Sequence, residues 1–292
     1  MSQQERVTSF ELSYDGSSYS QHEMDAALLG KVLMSTASLL DDANNILNGD
    51  NSSIDLKVKA HQPGSFEILF EAVQNAASID VLSTLGLVKA AGAGSALGTV
   101  MAVVEAVRGR TITSVTYDDR KAELSVNGEV ITCSKNVALL ATSPTIRKGF
   151  DKLIHEPLNQ DGTSTFKSMI GGVEQSLVTK GAEESYRAPK LGQIEKTTVE
   201  TINGAVHFTK VNFVSKSGWK VKLGSGNEVA VRMDDETFLE KVNKNITKFS
   251  KDDLFNVIYR IETKELNGNF KRPRYFIEKV ERHLTSSNKK IL

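Results

Sequence analysis

Apolar and polar residues alternate over residues 7–13, and this period of two predicts a β-strand. The pattern then becomes helical. Ser20 and Glu23 form a capping-box pair, in which the hydroxyl and the carboxylate each bind a free backbone N–H of the other residue. We therefore predict a helix from this pair to about Asn48, stopped by Gly49. Its apolar face comprises Met24, Leu28, Val32, Ser35 and Leu39.

The next segments predict two hairpins. Residues 54–60 and 65–73 alternate clearly, and their separation suits an antiparallel pair. Strands are also predicted over 111–117, 122–126 and 129–133. Asn127-Gly128 joins the last two, and both residues tolerate the positive φ of a tight hairpin turn. Together with the long helix, these strands predict an α+β domain.

Two short helices are predicted next, one from the Ser134 cap to about Ala141 and one over 145–155. Residues 156–203 carry several turn residues and weak periodicity. We therefore place a domain boundary near residue 190. The first domain, 1–190, contains an apolar helical segment over 77–109, and the second domain is 191–292.

The second domain is predicted to be rich in strands, interrupted by one helix that Asp234 or Asp235 caps. Phe238, Val242 and Ile246 lie four residues apart and would form the apolar stripe of this helix. This plan resembles OB-like and SH3-like barrels, so the fold class is α+β with a small β-barrel-like C-terminal domain. The predicted strands cover 205–214, 219–223, 228–233, 254–264 and 270–282.

An unusual apolar segment covers residues 81–104, in which only Lys89 is charged. Its length could span a bilayer, which needs about 20 apolar residues. A helix over this segment would carry a face of small side chains, which lets two helix backbones approach closely. These small residues recur at every fourth position: Gly86, Ala90, Gly94, Gly98, Ala102 and Ala106.

Two interpretations of this segment compete. Residues 81–107 could be a membrane helix, or one that inserts on a trigger. Alternatively, they form a buried helix or a bent helical hairpin packed on a neighbouring element or a second subunit. The flanking hairpins favour the second interpretation, because a spanning helix would split one domain across a membrane. The glycines also disfavour one continuous helix, since each costs up to about 1 kcal/mol of helix stability.

Composition supports a globular protein. The 292 residues are 39% hydrophobic and 25% charged, which is ordinary for a folded chain. The single cysteine, Cys133, excludes an internal disulfide framework and is typical of a small core residue. The N-terminus lacks the basic-then-apolar pattern of a secretory signal, so we expect a cytoplasmic protein.

The net charge of zero hides an asymmetry between the two halves of the chain. Residues 1–194 hold 17 Lys and Arg against 23 Asp and Glu, whereas residues 195–292 hold 19 against 13. The acidic first part can attract the basic second part, and the basic part can attract nucleic acid or another polyanion.

No catalytic, cofactor or metal motif is apparent, so we predict no cofactor and no metal, and the sequence does not favour an enzyme. It lacks a P-loop, a dinucleotide-binding loop and the GxSxG motif of serine hydrolases. Paired aspartates such as Asp41-Asp42 and Asp118-Asp119 are typical of caps and turns. The scattered histidines are His22, His61, His155, His207 and His283.

The basic domain carries a weak binding signal, because cations interleaved with an aromatic ring are typical of surfaces that bind single-stranded nucleic acid. Alternation places Lys220 and Lys222 on one face of their strand and Trp219 on the other, so Trp219 is expected in the core. The outward charges could also serve only to protect edge strands. The candidate polyanion-binding residues are Lys220, Lys222, Lys271, Arg272 and Arg274.

Several segments resemble a family of uncharacterised bacterial and phage-encoded proteins. They are FELSYDG over 10–16, HEMDAALLG over 22–30, QPGSFEILFEA over 62–72, and the closing segment 270–283. The resemblance covers about half of the chain, and its motifs are structural. It implies a prokaryotic or phage source and a role in phage–host conflict, and it implies no activity.

The leading hypothesis is a non-enzymatic, self-associating interaction protein, with the small-residue helix joining subunits and the basic domain contacting a protein partner. It predicts a homo-oligomer. A second hypothesis is a membrane-acting effector that inserts residues 81–107. A third is a nucleic-acid-binding protein that uses the basic domain.

Overall fold

A computed structural model describes residues 4–19, 23–49, 52–59, 67–89, 97–189, 195–244, 246, 253–266 and 269–284. The chain divides into two compact units. The N-terminal unit comprises Met1–Val115 and Arg120–Ile194, and the C-terminal unit comprises Thr116–Asp119 and Glu195–Leu292.

The described strands, in chain order, are β1 (Glu5–Asp15), β2 (Ile54–Lys59), β3 (Glu67–Asn75), β4 (Ile112–Tyr117), β5 (Lys121–Val126), β6 (Glu129–Ser134), β7 (Thr165–Ile170), β8 (Val173–Thr179), β9 (Glu195–Lys210), β10 (Trp219–Leu223), β11 (Glu228–Met233), β12 (Leu254–Leu266), β13 (Asn269–Phe270) and β14 (Arg274–Leu284). The helices are α1 (Ala26–Asn48), α2 (Val81–Leu85), α3 (Val100–Val107), α4 (Lys135–Ala141), α5 (Pro144–Phe150), α6 (Glu156–Leu158) and α7 (Glu236–Asn243), and a π-helical turn, Asp151–His155, joins α5 to α6.

A five-stranded antiparallel sheet, in the order β2-β3-β1-β7-β8, forms the centre of the N-terminal unit. The predicted β2–β3 hairpin is confirmed. Sequence reasoning missed β7 and β8, which it assigned to a region of turns. Gly171 and Gly172 link these two strands, and both have positive φ, as a two-residue hairpin turn requires. A Gly-Gly pair after an alternating segment was therefore the signal that could have revealed them.

Helix α1 ends at Asn48 and Gly49, as predicted, but its beginning differs. Asp25, and not Ser20, is its N-cap, since the Asp25 carboxylate accepts a hydrogen bond from the Leu28 N–H at 2.9 Å. Ser20 lies outside the described residues. An Asp directly before a helix binds the free N–H of the first turn by the same chemistry that was expected of Ser20. The Ser134 cap of α4 is confirmed by its bond from the Val137 N–H.

In the described residues the apolar segment forms two short helices, α2 and α3, and not one continuous helix. Gly86 ends α2 in the left-handed conformation, with φ of 95°. Gly98 lies before α3, whose N-cap is Thr99. Ala102 and Ala106 lie within α3, whereas Ala90 and Gly94 lie outside the described residues.

The apolar side chains of this segment contribute to the core of the N-terminal unit. Val81, Leu85, Val100, Val103 and Val104 are fully buried. Burial within the N-terminal unit explains why this segment is apolar. The helix ends at Gly86 because glycine adopts positive φ more readily than other residues. In the part of the chain that the structure describes, each helix is too short or too polar to span a bilayer.

The C-terminal unit is a closed five-stranded barrel. β9 pairs with β10, β10 with β11, and β12 pairs with both β14 and β9, all antiparallel. A parallel pairing of β11 with β14 closes the ring. If β9, β10, β11, β12 and β14 are numbered 1 to 5, the strand order around the barrel is 1-2-3-5-4-1, and α7 lies between strands 3 and 4, as in an OB-fold. This confirms the predicted α+β fold class with a C-terminal barrel.

Alternation along the barrel strands places large side chains in its interior. Trp219 is 0% exposed, as predicted, and Phe238 and Val242 of α7 pack against the same core. Ile246 is 66% exposed, so its assignment to the apolar stripe is wrong, because α7 ends at Asn243. Asp235 is the N-cap of this helix, accepting a hydrogen bond from the Phe238 N–H.

Candidate functional site

A groove of about 580 Å³ lies on the barrel where β11 and β14 part. These two strands pair only over Val231–Met233 and Tyr275–Ile277. The residues before Val231 and those before Tyr275 are not paired with each other, and the groove lies between these two segments. Its lining also includes the end of the loop between β9 and β10 and the segment that leads into β14. The lining residues are Ser217, Gly218, Val229, Ala230, Val231, Arg232, Arg272, Pro273, Arg274, Tyr275 and Phe276.

The groove is cationic, since its lining contains three arginines and no carboxylate. Arg232 donates from Nε to Asp234 at 2.9 Å, which leaves the rest of its guanidinium group for other acceptors. Arg274 lies 4.0 Å from Glu262, at the limit of an ion pair. Within the described residues, Arg272 has no carboxylate partner. Exposed ion pairs of this kind contribute about 0–1 kcal/mol, so an anion can compete for these arginines.

An aromatic residue supports the floor of the groove. Phe276 lies beside Arg232 on β11 and Arg260 on β12 in the sheet register, so the three side chains form a row on the outer face. The Arg260 and Arg274 guanidinium groups lie 4.3 Å and 5.2 Å from the Phe276 ring centroid. Cation–π contacts orient a guanidinium group through its face. The Arg260 N–H groups bind Glu262 and Glu278, so of these two arginines it is Arg274 that can offer its edge N–H groups to a ligand.

The structure brings together only some of the predicted polyanion-binding residues. Arg272 and Arg274 line the groove, whereas Lys220 and Lys222 lie on the outer face of the neighbouring strand β10. Lys220 forms an ion pair with Glu228 at 2.9 Å, and this hydrogen bond lowers the pKa of Glu228. Lys271 lies just before the groove and is held by its backbone N–H, which donates to the Lys264 carbonyl at 2.7 Å.

Sequence reasoning missed Arg232, which lies about 40 positions before the basic cluster of β14. The only sequence signal was the alternation in β11, which places Arg232 outward between the inward Val231 and Met233. The parallel pairing of β11 with β14 then brings Arg232 beside this cluster. A pairing between strands so distant in sequence is not visible in local periodicity.

The loop between β9 and β10 is held by its own side chains. Asn212 donates to the Ser217 carbonyl at 2.8 Å, and its side-chain oxygen accepts from the backbone N–H groups of Val214 and Ser215. The buried Trp219 indole donates to the Ser215 carbonyl at 2.8 Å. This network gives the loop a defined shape where it reaches the groove at Ser217.

The N-terminal unit contains a second group of titratable residues. His155, at the end of the π-turn, places Nδ1 2.7 Å from Asp151 and Nε2 3.4 Å from Glu184. Both ring nitrogens are thus engaged, and the contacts link the π-turn to the short helical turn Glu183–Tyr186. The described residues contain no group of three His, Cys, Asp or Glu side chains arranged to hold a metal ion.

Cys133 is buried in the N-terminal unit, and burial raises the pKa of its thiol to about 11. Because the thiolate is the nucleophilic form of cysteine, this environment disfavours nucleophilic reactivity. The geometry agrees with a small core residue.

Comparison of the chain with protein-family models, with curated proteins and with solved structures found no match.

Proposed function

We propose that this protein binds nucleic acid through the cationic groove of its C-terminal barrel, and that it acts by binding and not by catalysis. The observation that supports the proposal is the convergence of Arg232, Arg272 and Arg274 on a groove whose lining contains no carboxylate. The hypotheses of self-association and of membrane insertion both used the apolar segment 81–107, which self-association could use as a buried helix or as a bent helical hairpin. The end of α2 at Gly86 interrupts the small-residue face that a continuous helix would have carried, so the proposal uses the groove instead.

Arginine chemistry favours phosphate as the ligand group. A guanidinium group is planar and always charged, and it can donate two parallel hydrogen bonds to one phosphate. Three such groups along one open groove match a ligand with repeated phosphates better than a single small anion. A neutral oligosaccharide would gain little from three cations, so the charge favours nucleic acid among extended ligands.

The fold gives a second, weaker argument. OB-fold barrels bind oligonucleotides and oligosaccharides on the face of strands two and three, together with the loops after strands one and four. The groove includes β11, the loop before β10 and the segment before β14, which occupy the corresponding positions. Fold analogy does not establish function, so the arginines carry the proposal.

The test measures the binding of a fluorescein-labelled 15-nucleotide strand by anisotropy, at salt concentrations from about 50 to 200 mM, where phosphate contacts weaken steeply. The variant Arg272→Ala/Arg274→Ala should bind more weakly, and its slope of log affinity against log salt should fall by about 1.4, which is about 0.7 for each lost contact to a single strand.

The matched control is Arg187→Ala/Lys244→Ala, which removes the same net charge from exposed positions outside the groove. It should retain the affinity and slope of the unmodified protein. Absence of binding at about 50 mM salt, a permissive condition, would refute the proposal. Equal losses in the two double variants would also refute it, because net charge would then explain the binding.

A further inference from the structure

Two segments that lead into the groove lining carry exposed aromatic rings. Phe270, two residues before the groove-lining Arg272, is 75% exposed. Phe213, in the loop that lines the groove at Ser217 and Gly218, is 54% exposed. Phenylalanine is among the residues most often buried, so two exposed rings on segments that also contribute to the groove lining need an explanation.

Loose backbone does not explain the exposure of the two rings, because hydrogen bonds hold the backbone at both positions. Phe270 belongs to β13, where it pairs with Glu265 of β12, and the next N–H along the chain, that of Lys271, donates to Lys264. Phe213 follows Asn212, whose side chain organises the loop through three hydrogen bonds. The sequence thus holds two rings at the surface on defined backbone.

A ligand that suits this arrangement has flat apolar faces and repeated negative charges. Unpaired nucleobases on a phosphate backbone have both, and stacking on an aromatic side chain is largely independent of base identity. In a duplex, each base is already stacked between its neighbours and cannot cover a protein ring without being extruded. A groove lined by arginines, with exposed rings on the adjoining segments, therefore favours a single strand.

We propose that Phe270 and Phe213 stack on unpaired bases, so that the groove selects single-stranded over double-stranded nucleic acid. This inference rests on the proposed function, because the arginines must first hold the phosphate backbone. It adds the recognition of bases, which the arginines alone cannot supply.

The experiment compares three probes of equal length: a single-stranded oligonucleotide, the same strand made of abasic nucleotides, and the duplex. The variant Phe270→Ala/Phe213→Ala should lose affinity for the base-containing strand by about ten-fold or more. Its affinity for the abasic strand should not change. Val214→Ala is the matched control, since Val214 is 93% exposed in the same loop and carries no ring.

Conservative replacement provides an independent readout. Phe270→Trp should retain the affinity for the single strand, and its fluorescence should be quenched when the strand binds, because an indole stacks on bases as a phenyl ring does. Phe270→Leu keeps apolar surface but not the flat ring, so it should lose affinity for the single strand as Phe270→Ala does. Each variant is accepted after its thermal unfolding matches that of the unmodified protein.

The outcomes separate this inference from the proposed function. If the unmodified protein binds all three probes and the double alanine variant binds them equally well, the stacking inference is wrong and the groove remains a phosphate-binding site. An equal loss for the abasic and base-containing strands would also contradict stacking. If no probe binds the unmodified protein, both proposals fail.

Discussion

A hydrogen bond from Tyr14 to a helix carbonyl offers a sharp test of the N-terminal core. The Tyr14 side chain is 0% exposed, and its hydroxyl donates to the Leu153 carbonyl at 2.8 Å. Leu153 lies in the π-helical turn just before α6, and an α-helical bond to its carbonyl would come from the N–H four residues later. That residue is Pro157, which has no N–H. Tyr14 therefore supplies the donor that the proline removes.

Replacement of Tyr14 by Phe removes this donor while keeping the ring that packs against Phe166. A buried carbonyl without a partner costs about 1–3 kcal/mol. For a unit of this size, each kcal/mol lowers the melting temperature by about 2–4 °C. We therefore expect the transition of the N-terminal unit to fall by roughly 2–12 °C.

The assay is differential scanning calorimetry of the full chain, with urea unfolding to obtain the free energy. Pro157→Ala restores an N–H that can donate to Leu153. Its effect on stability should be more favourable by about 1 kcal/mol or more in the Tyr14→Phe background than in the unmodified protein. Tyr259→Phe is the control, because the Tyr259 hydroxyl has no hydrogen-bond partner among the described residues.

Two results would refute this reasoning. One is a change below about 0.5 kcal/mol in Tyr14→Phe, the size expected of a surface substitution. The other is an equal effect of Pro157→Ala in both backgrounds, which would show that the tyrosine and the proline do not act on the same carbonyl.

Two further predictions concern particular residues of the N-terminal unit. Gly30→Ala should raise the free energy of unfolding by up to about 1 kcal/mol, because Gly30 lies within α1 and an added Cβ meets no atom within 4 Å. By contrast, Gly162→Ala should lower the free energy of unfolding by at least about 1 kcal/mol, since Gly162 has φ of +79° and an added Cβ would collide with the Ser18 hydroxyl. Urea unfolding measures both variants, and the opposite order of stability would contradict both predictions. Cys133 should resist iodoacetamide at pH 8 in the folded protein and react once urea unfolds it, because burial excludes the reagent and the raised pKa of the thiol leaves little thiolate. Mass spectrometry measures the labelling, and rapid labelling of the folded protein would contradict the buried position of Cys133.

Local patterns were sufficient for much of the secondary structure. The bounds of β10 and β11, the Asn127-Gly128 turn and the Ser134 cap all follow from the sequence. The inward direction of Trp219 follows in the same way. Each depends on a few neighbouring residues, because turn chemistry, capping and alternation act over only two to four positions.

Features that depend on distant segments were decided by the tertiary structure. The small residues of 86–106 would share one face only on a continuous helix, but Gly86 is held in the left-handed conformation where an added Cβ would meet the Thr99 side chain at 2.9 Å. Likewise, β7 joins the sheet by pairing with β1, which is adjacent to it in space but lies near the start of the chain. Neither outcome can be read from one window of sequence.

The candidate site is divided in the same way between sequence and structure. By itself the sequence determined the basic cluster that includes Arg272 and Arg274 and the outward position of Lys220. Only the folded barrel decided that Arg232 joins these arginines, that the lysines of β10 do not line the groove, and that the groove exists at all. The physical reason is that charge and alternation are properties of a local segment, whereas a groove forms where two distant strands stop pairing, and that point is set by the closure of the whole barrel.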